Sequence, residues 1–204
     1  MKSILIFGAS RGTGAHLLSY AIAQNIKVTA LIRDNKLSDK LQSQGVQTLV
    51  GNACNQEDVL QAMHLAGKDT TIVCTLGGEG ANYEAQRTII DSAEQFGIQQ
   101  MLLVTSIGCG NSWPTLSDRA KQAFGYAVRE KSLSEVWLQT SQLAYCILRP
   151  GGLVDGEPNF TAEYYPAELE KHGRVKRSDL AQVILKLIEQ PLDNKIYSVI
   201  DPKF

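Results

Sequence analysis

The chain has 204 residues, 44% hydrophobic and 20% charged, and its 20 Lys and Arg against 21 Asp and Glu leave a net charge of −1. That balance excludes strong electrostatic attraction to nucleic acid or to an anionic membrane surface, and no apolar run reaches the roughly 20 residues that span a bilayer. The length fits a single domain over residues 1–204, and with no signal-peptide pattern at the start the expected location is cytoplasmic.

The first predicted element is an apolar strand, Ser3–Phe7. It ends in Gly8, and Gly12 and Gly14 follow before a helix over Gly14–Gln24. This is the order in which a dinucleotide-binding unit is built. Gly8 allows the tight turn, Gly12 lets backbone approach a pyrophosphate, and Gly14 lets helix and strand pack closely. The helix N-terminus then points unpaired N–H groups and partial positive charge at the phosphates.

A second strand, Lys27–Ile32, closes on Arg33-Asp34 and leads to a helix over Leu37–Gln44 and a strand over Gln47–Val50. Asn55 before Gln56-Glu57-Asp58 marks the start of a helix over Gln56–Leu65. A strand over Thr70–Thr75 precedes a helix over Tyr83–Phe96, with Gly97 as its C′ residue. The strand Gln100–Thr105 leads through an aperiodic stretch, Ile107–Ser117, into a long helix over Asp118–Thr140. After the strand Ala144–Leu148 comes a second aperiodic stretch, Gly151–Arg177. Ser178 before Asp179 reads as the cap of a last helix, Ser178–Glu189, and Lys195–Ile200 is the last strand.

Strands alternating with helices, rich in Val, Ile and Leu without polar alternation, give an α/β fold: Rossmann-type, doubly wound, a mainly parallel sheet with helices on both faces. Both aperiodic stretches follow the C-terminal ends of strands, where open α/β sheets bind ligands, so 107–117 and 151–177 are the candidate substrate loops. The cysteines Cys54, Cys74, Cys109 and Cys146 show no C-x-x-C spacing and read as buried thiols in a reducing compartment. The histidines His16, His64 and His172 lack metal-ligand spacing, and no metal site is expected.

Read in order, the chain resembles the single-domain atypical group of short-chain dehydrogenases/reductases, which includes flavin and biliverdin-IXβ reductases and NmrA-like proteins. The resemblance rests on Gly8–Gly14, Leu31-Ile32-Arg33-Asp34, Gly51-Asn52, Leu76-Gly77-Gly78, Thr105-Ser106-Ile107-Gly108, Leu148-Arg149-Pro150-Gly151-Gly152 and Gly173–Ala181. It implies a nicotinamide cofactor. Its diphosphate end falls to Gly8, Ser10, Arg11, Gly12, Thr13 and Gly14, and its adenosine end to Arg33, Asn52 and Ala53. Leu76, Gly77, Thr105, Lys131, Pro150 and Gly151 fall to the nicotinamide end. The chain departs from the group at Arg11, where glycine is usual, and at Asn52, where aspartate is common; an amide both donates to and accepts from an adenine edge.

The coenzyme is expected to be NADP(H) more than NAD(H). The end of strand two, where an NAD site offers a carboxylate, holds Arg33 with Asp34 one residue later. Arg11 adds a second guanidinium suited to a 2′-phosphate. The alternative is that Arg33 and Asp34 are merely a solvated strand end.

The family's acid–base set is a Ser followed by Tyr-x-x-x-Lys. Ser106 and Lys131 match its serine and lysine, but Ala127 stands four residues before Lys131, and Tyr126, at about 100° per residue, faces elsewhere. The proton donor of an alcohol dehydrogenase is therefore missing. Ser106 is either catalytic or the closure of a turn. Trp113 either stacks on a planar acceptor or covers the sheet edge; Tyr164 and Tyr165 read as packing, and His172 as a bystander within reach of the substrate.

Three functions remain open: hydride transfer from NAD(P)H to a small planar acceptor such as a flavin or quinone; a non-catalytic NADP(H) sensor of NmrA type; and a sugar-nucleotide epimerase or dehydratase. The short stretch after Pro150 leaves little room for the substrate domain of the last. The expected partner is a small planar molecule, with a homodimer possible through the Asp118–Thr140 helix.

Overall fold

A computed structural model describes residues 3–78 and 82–204. In chain order its strands are β1 (Ser3–Phe7), β2 (Lys27–Ile32), β3 (Gln47–Val50), β4 (Thr71–Cys74), β5 (Gln100–Val104), β6 (Ala144–Pro150), β7 (Gly152–Val154), β8 (Glu163–Pro166), β9 (Arg174–Lys176) and β10 (Lys195–Ile200). The helices are α1 (Gly12–Ala23), α2 (Asn35–Gln42), α3 (Gln56–Ala66), α4 (Asn82–Phe96), α5 (Asp118–Gln139) and α6 (Arg177–Leu187).

The main sheet runs β3-β2-β1-β4-β5-β6-β10-β8. Its strands pair in parallel except at the edge, where β8 runs antiparallel to β10 with Ser198 opposite Tyr165. Alternate strand residues feed two cores. Ile4, Ile6, Ala30, Val73 and Leu102 meet Leu17 and Ala21 of α1 and Leu180 and Ile184 of α6. Leu5, Phe7, Ile72, Met101 and Ile147 meet Met63 of α3 and Ile89 and Ile90 of α4. Both faces are covered, which is why the strands read as unbroken apolar runs. Each fully buried Leu, Ile or Phe here stabilises the fold by about 1.5–3 kcal/mol.

Local signals act where the sequence places them. Asn55 caps α3, its side chain accepting from Glu57 N at 2.8 Å and Asp58 N at 3.2 Å. Gly97, at φ +91°, closes α4 by donating to Ala93 O. The reading of Ser178 as a cap is corrected. Helix α6 begins at Arg177, and Lys176 before it provides no side-chain cap. Already inside the first turn, Ser178 donates instead to Gly156 O at 3.0 Å, and the Asp179 carboxylate accepts from Phe160 N at 2.9 Å. These two side chains serve the amides and carbonyls of the loop lying over the helix start.

The two aperiodic stretches are also more ordered than the sequence suggests. Residues 110–115 form a 3-10 turn, and 151–177 contains β7, β8 and β9, with β7 and β9 pairing in parallel as a separate two-stranded sheet. Strands of three or four residues are too short to show a period of two. Among the described residues no helix is long and apolar enough to cross a membrane.

Candidate cofactor cleft and acceptor pocket

Strand order reverses between β1 and β4, and a cleft opens beyond their carboxyl ends, the position where such sheets take ligands. It encloses about 940 Å³, part of it open to solvent, and is lined by Gly8, Ser10, Arg11, Arg33, Asn52, Ala53, Leu76 and Gly77 among others. Gly8 and Gly12 sit at φ +97° and +57°, in the left-handed region where glycine carries no steric cost. At Gly14 the requirement is closeness, because a Cβ there would stand 2.1 Å from Gly8 O.

The start of α1 suits a diphosphate. Arg11 at its N-cap offers no side-chain cap, so the N–H groups of the first turn remain without intrahelical partners. The buried Thr13 Oγ1 has no hydrogen-bond partner. A phosphate oxygen would supply the acceptor that both lack, and the residues present therefore fit a dinucleotide.

At the adenosine end Arg11 and Arg33 are both exposed and line one cleft. Asp34 is otherwise engaged: its Oδ1 caps α2, accepting from Lys36 N at 2.8 Å and Leu37 N at 3.3 Å. The carboxylate nearest the expected ribose site thus has a structural occupation. Asn52 is partly committed as well, since its Oδ1 accepts from Cys54 N at 3.1 Å, leaving its NH₂ to donate to an adenine ring nitrogen. Cys54 lines the same cleft, and burial, then the Glu84 charge, push its thiol pKa up.

A second cavity of about 1270 Å³, also open to solvent, lies beyond β5 and β6. Thr105, Ser106, Lys131, Pro150 and Gly151 line it, together with Ile107, Leu116, Phe124, Ala127, Val128, Leu153, His172 and Arg177. Ala127, at the position where the resemblance leads one to expect a tyrosine, lines it with a methyl group. Tyr126 is 77% exposed and not part of this lining. Ser106 donates to the neighbouring carbonyl of Ile107 at 3.0 Å.

Two cations mark the seam between the cavities. Lys131 Nζ donates to Thr105 O at 3.2 Å and lies 3.6 Å from where a Gly77 Cβ would stand. Burial pulls its pKa below the ordinary lysine value. Arg177, first in α6, packs 3.2 Å from a Cβ position on Gly12, lines the second cavity, and pairs with Asp155 at 2.9 Å.

Behind this cavity runs a buried polar network. Arg149 donates to both oxygens of Glu135, and Thr105 Oγ1 donates to Glu135 Oε1 at 2.6 Å. Arg149 also donates to Asn111 Oδ1 at 2.9 Å and pairs with Glu170 at 3.7 Å. Glu170 accepts from Ser112 Oγ, and His172 Nε2 lies 3.2 Å from its Oε1. Residues from both aperiodic stretches are therefore tied to one carboxylate.

The structure gathers the sequence-selected residues around two adjoining cavities, with Gly12, Thr13 and Gly14 forming the turn at the base of the first. Trp113 is corrected as a stacking candidate. Its ring packs 3.2 Å from a Cβ position on Gly125, with Lys121 above it, and it is not part of the acceptor lining. Tyr164 stacks edge-on against Tyr197, in keeping with a packing role. Sequence reasoning passed over Arg177, Glu170 and the Glu135–Arg149 pair. Arg149 and Arg177 stood within the segments that carried the resemblance, but Glu135 and Glu170 left no local signal.

Comparison with known proteins agrees with this geometry. A family described as NAD(P)H-binding matches residues 8–191. A solved structure titled as ChuY, an anaerobillin reductase from Escherichia coli O157:H7, is 49% identical, covers 100% of this chain and 98% of its own, and superposes with a TM-score of 0.96. A chuY structure from E. coli strain CFT073 is 48% identical over 100% of this chain and 99% of that one, with a TM-score of 0.92. The uncharacterized sugar epimerase YhfK of Bacillus subtilis (strain 168) is 25% identical over 98% of this chain and 94% of its own length. The chain belongs to the NAD(P)H-binding family.

Proposed function

We propose that this protein is an NADPH-dependent reductase of an open-chain tetrapyrrole. The observation that carries the reading is the roomy, largely apolar second cavity adjoining the cofactor cleft, opened by Ala127 where a tyrosine would fill it. Such a cavity suits a large planar conjugated acceptor better than a small alcohol or ketone, whose alkoxide needs a phenol at that place. The 49% identity to a protein titled as an anaerobillin reductase supports the same acceptor class.

The bound coenzyme supplies a hydride, and the chain supplies the rest. Amides of the α1 turn with Thr13 hold the diphosphate. Lys131 donates toward the nicotinamide ribose, and Ser106 borders the acceptor. Arg11 and Arg33 favour NADPH over NADH, because a 2′-phosphate offers them charged acceptor oxygens while Asp34 is engaged at its cap. Flavins and quinones remain acceptors of the right shape and stand as comparison substrates.

The test is anaerobic NADPH oxidation with anaerobilin, biliverdin, FMN and a quinone. The reading expects the highest kcat/KM for a tetrapyrrole, and a 10- to 100-fold rise in the NADPH KM for Arg33→Ala with little change for NADH. Tight NADPH binding without turnover of any acceptor would favour a sensor of NmrA type, which needs the first cleft but not the second.

A further inference from the structure

Resting on the reductase reading, we infer that His172 is the proton donor to the acceptor, oriented by Glu170. Reduction of a conjugated acceptor by hydride leaves an anion, and the phenol that would neutralise it in related enzymes is absent at Ala127. The polar side chains bordering the cavity are few. Ser106 spends its hydroxyl hydrogen on Ile107 O. Lys131 gives two of its three hydrogens to the carbonyls of Val104 and Thr105, and the third is the one it donates toward the nicotinamide ribose. Arg177 is a guanidinium that does not release protons, and it is paired with Asp155. The remaining imidazole, His172, is the group whose chemistry is proton transfer.

Its surroundings are built for that task. Nε2 meets Glu170 Oε1 at 3.2 Å, which leaves Nδ1 as the ring nitrogen available to a ligand. Glu170 is held in turn by Ser112 and Arg149, and its side chain is only 11% exposed. A fixed carboxylate behind an imidazole sets its orientation. The His172 side chain is 47% exposed, so it can reload its proton from water, and the residue lines the cavity. The charged groups around it are Glu170 directly, Arg149 and Glu135 behind that carboxylate, and Lys131 and Arg177 on the cavity lining.

The step balances without a further reagent. A bridging carbon of the tetrapyrrole accepts the hydride and forms a C–H bond. The displaced electron pair comes to rest on a pyrrole nitrogen, which takes the proton as the N–H bond of the imidazolium breaks. The coenzyme leaves oxidised by two electrons, and His172 is reprotonated from solvent.

The test compares wild type, His172→Ala and His172→Gln, with biliverdin and anaerobilin as probes. Both variants are expected to bind NADPH as wild type does, to lose 10²-fold or more in the single-turnover rate, and His172→Ala to regain rate with added imidazole. A second readout needs no turnover: with NADP⁺ bound, wild type should red-shift the visible band of the tetrapyrrole as its nitrogen is hydrogen-bonded by the imidazolium, and His172→Ala should not. A full-rate His172→Ala, or a loss that imidazole does not restore with the band shift intact, overturns the assignment. If wild type itself reduces neither tetrapyrrole, the reductase reading has failed rather than the role of His172.

Discussion

Glu135 and Arg149 form a two-pronged ion pair with both side chains only 2% exposed, Nε to Oε1 at 3.0 Å and Nη2 to Oε2 at 2.7 Å. Burial opposes the arginine's charge, but the hydrogen bonds and charge of Glu135 outweigh it and raise its pKa. Removing one partner strands the other. Arg149→Met or Glu135→Leu alone should cost about 3–5 kcal/mol in chemical denaturation, whereas the double variant should recover part of that loss. Equal stability of single and double variants would show that the pair is not coupled.

Gly14 should tolerate no side chain. An alanine Cβ would stand 2.1 Å from Gly8 O and 2.6 Å from Thr75 Oγ1, so the α1 turn must move away from β1. Gly14→Ala is expected to abolish the thermal shift given by saturating NADPH, which at 100 times Kd is worth about 2.7 kcal/mol in the native protein.

Cys54 gives a chemical probe of the cleft. Cys74, Cys109 and Cys146 are buried, and Cys54 is the half-buried thiol lining the cofactor site. Iodoacetamide at mildly alkaline pH should label Cys54 first, slowly because its pKa is raised, and NADPH should protect it. Labelling at an unchanged rate with coenzyme bound, read by peptide mass, would place the adenosine elsewhere.

Alkaline pH should weaken the fold through the buried thiols. Burial pushes Cys74 and Cys109 up to about 11 and Cys146 to about 12 from a starting value of 9.0. Between the unfolded and folded values the native state holds protons that the unfolded chain has released. Stability is then complete below about pH 9 and falls as pH climbs through 11, by up to about 1.4 kcal/mol per pH unit for each thiol. Melting curves from pH 8 to 11 should show this decline, and Cys74→Ala should flatten it.

The first half of the fold is legible residue by residue because each signal is local. Gly8, Gly12 and Gly14 mark the phosphate turn, Asn55 caps α3, and the strands buried on both faces announce themselves as apolar runs. Ala127 could also be read, as a gap in a spaced pattern. What stays hidden is what distant segments decide together. Ser178 looks like a cap until Gly156 competes for its hydroxyl, and Trp113 looks like a stacking platform until α5 offers it the hollow at Gly125. His172 looks incidental because its neighbour Glu170 is held by Ser112 and Arg149 from two other stretches, and no spacing records that convergence.

Gly151, Gly152 and Gly173 give the acceptor cavity one side made of main chain. Gly152 N donates to Gly173 O, and a Cβ on Gly151 would lie 2.3 Å from that same oxygen. A side chain at Gly151 cannot be added without pushing the β7–β9 ribbon away from β6. Selection for a new substrate works more freely through Leu116, Phe124, Ala127 and Val128 than through Gly151, which makes that side the adjustable jaw against a fixed anvil.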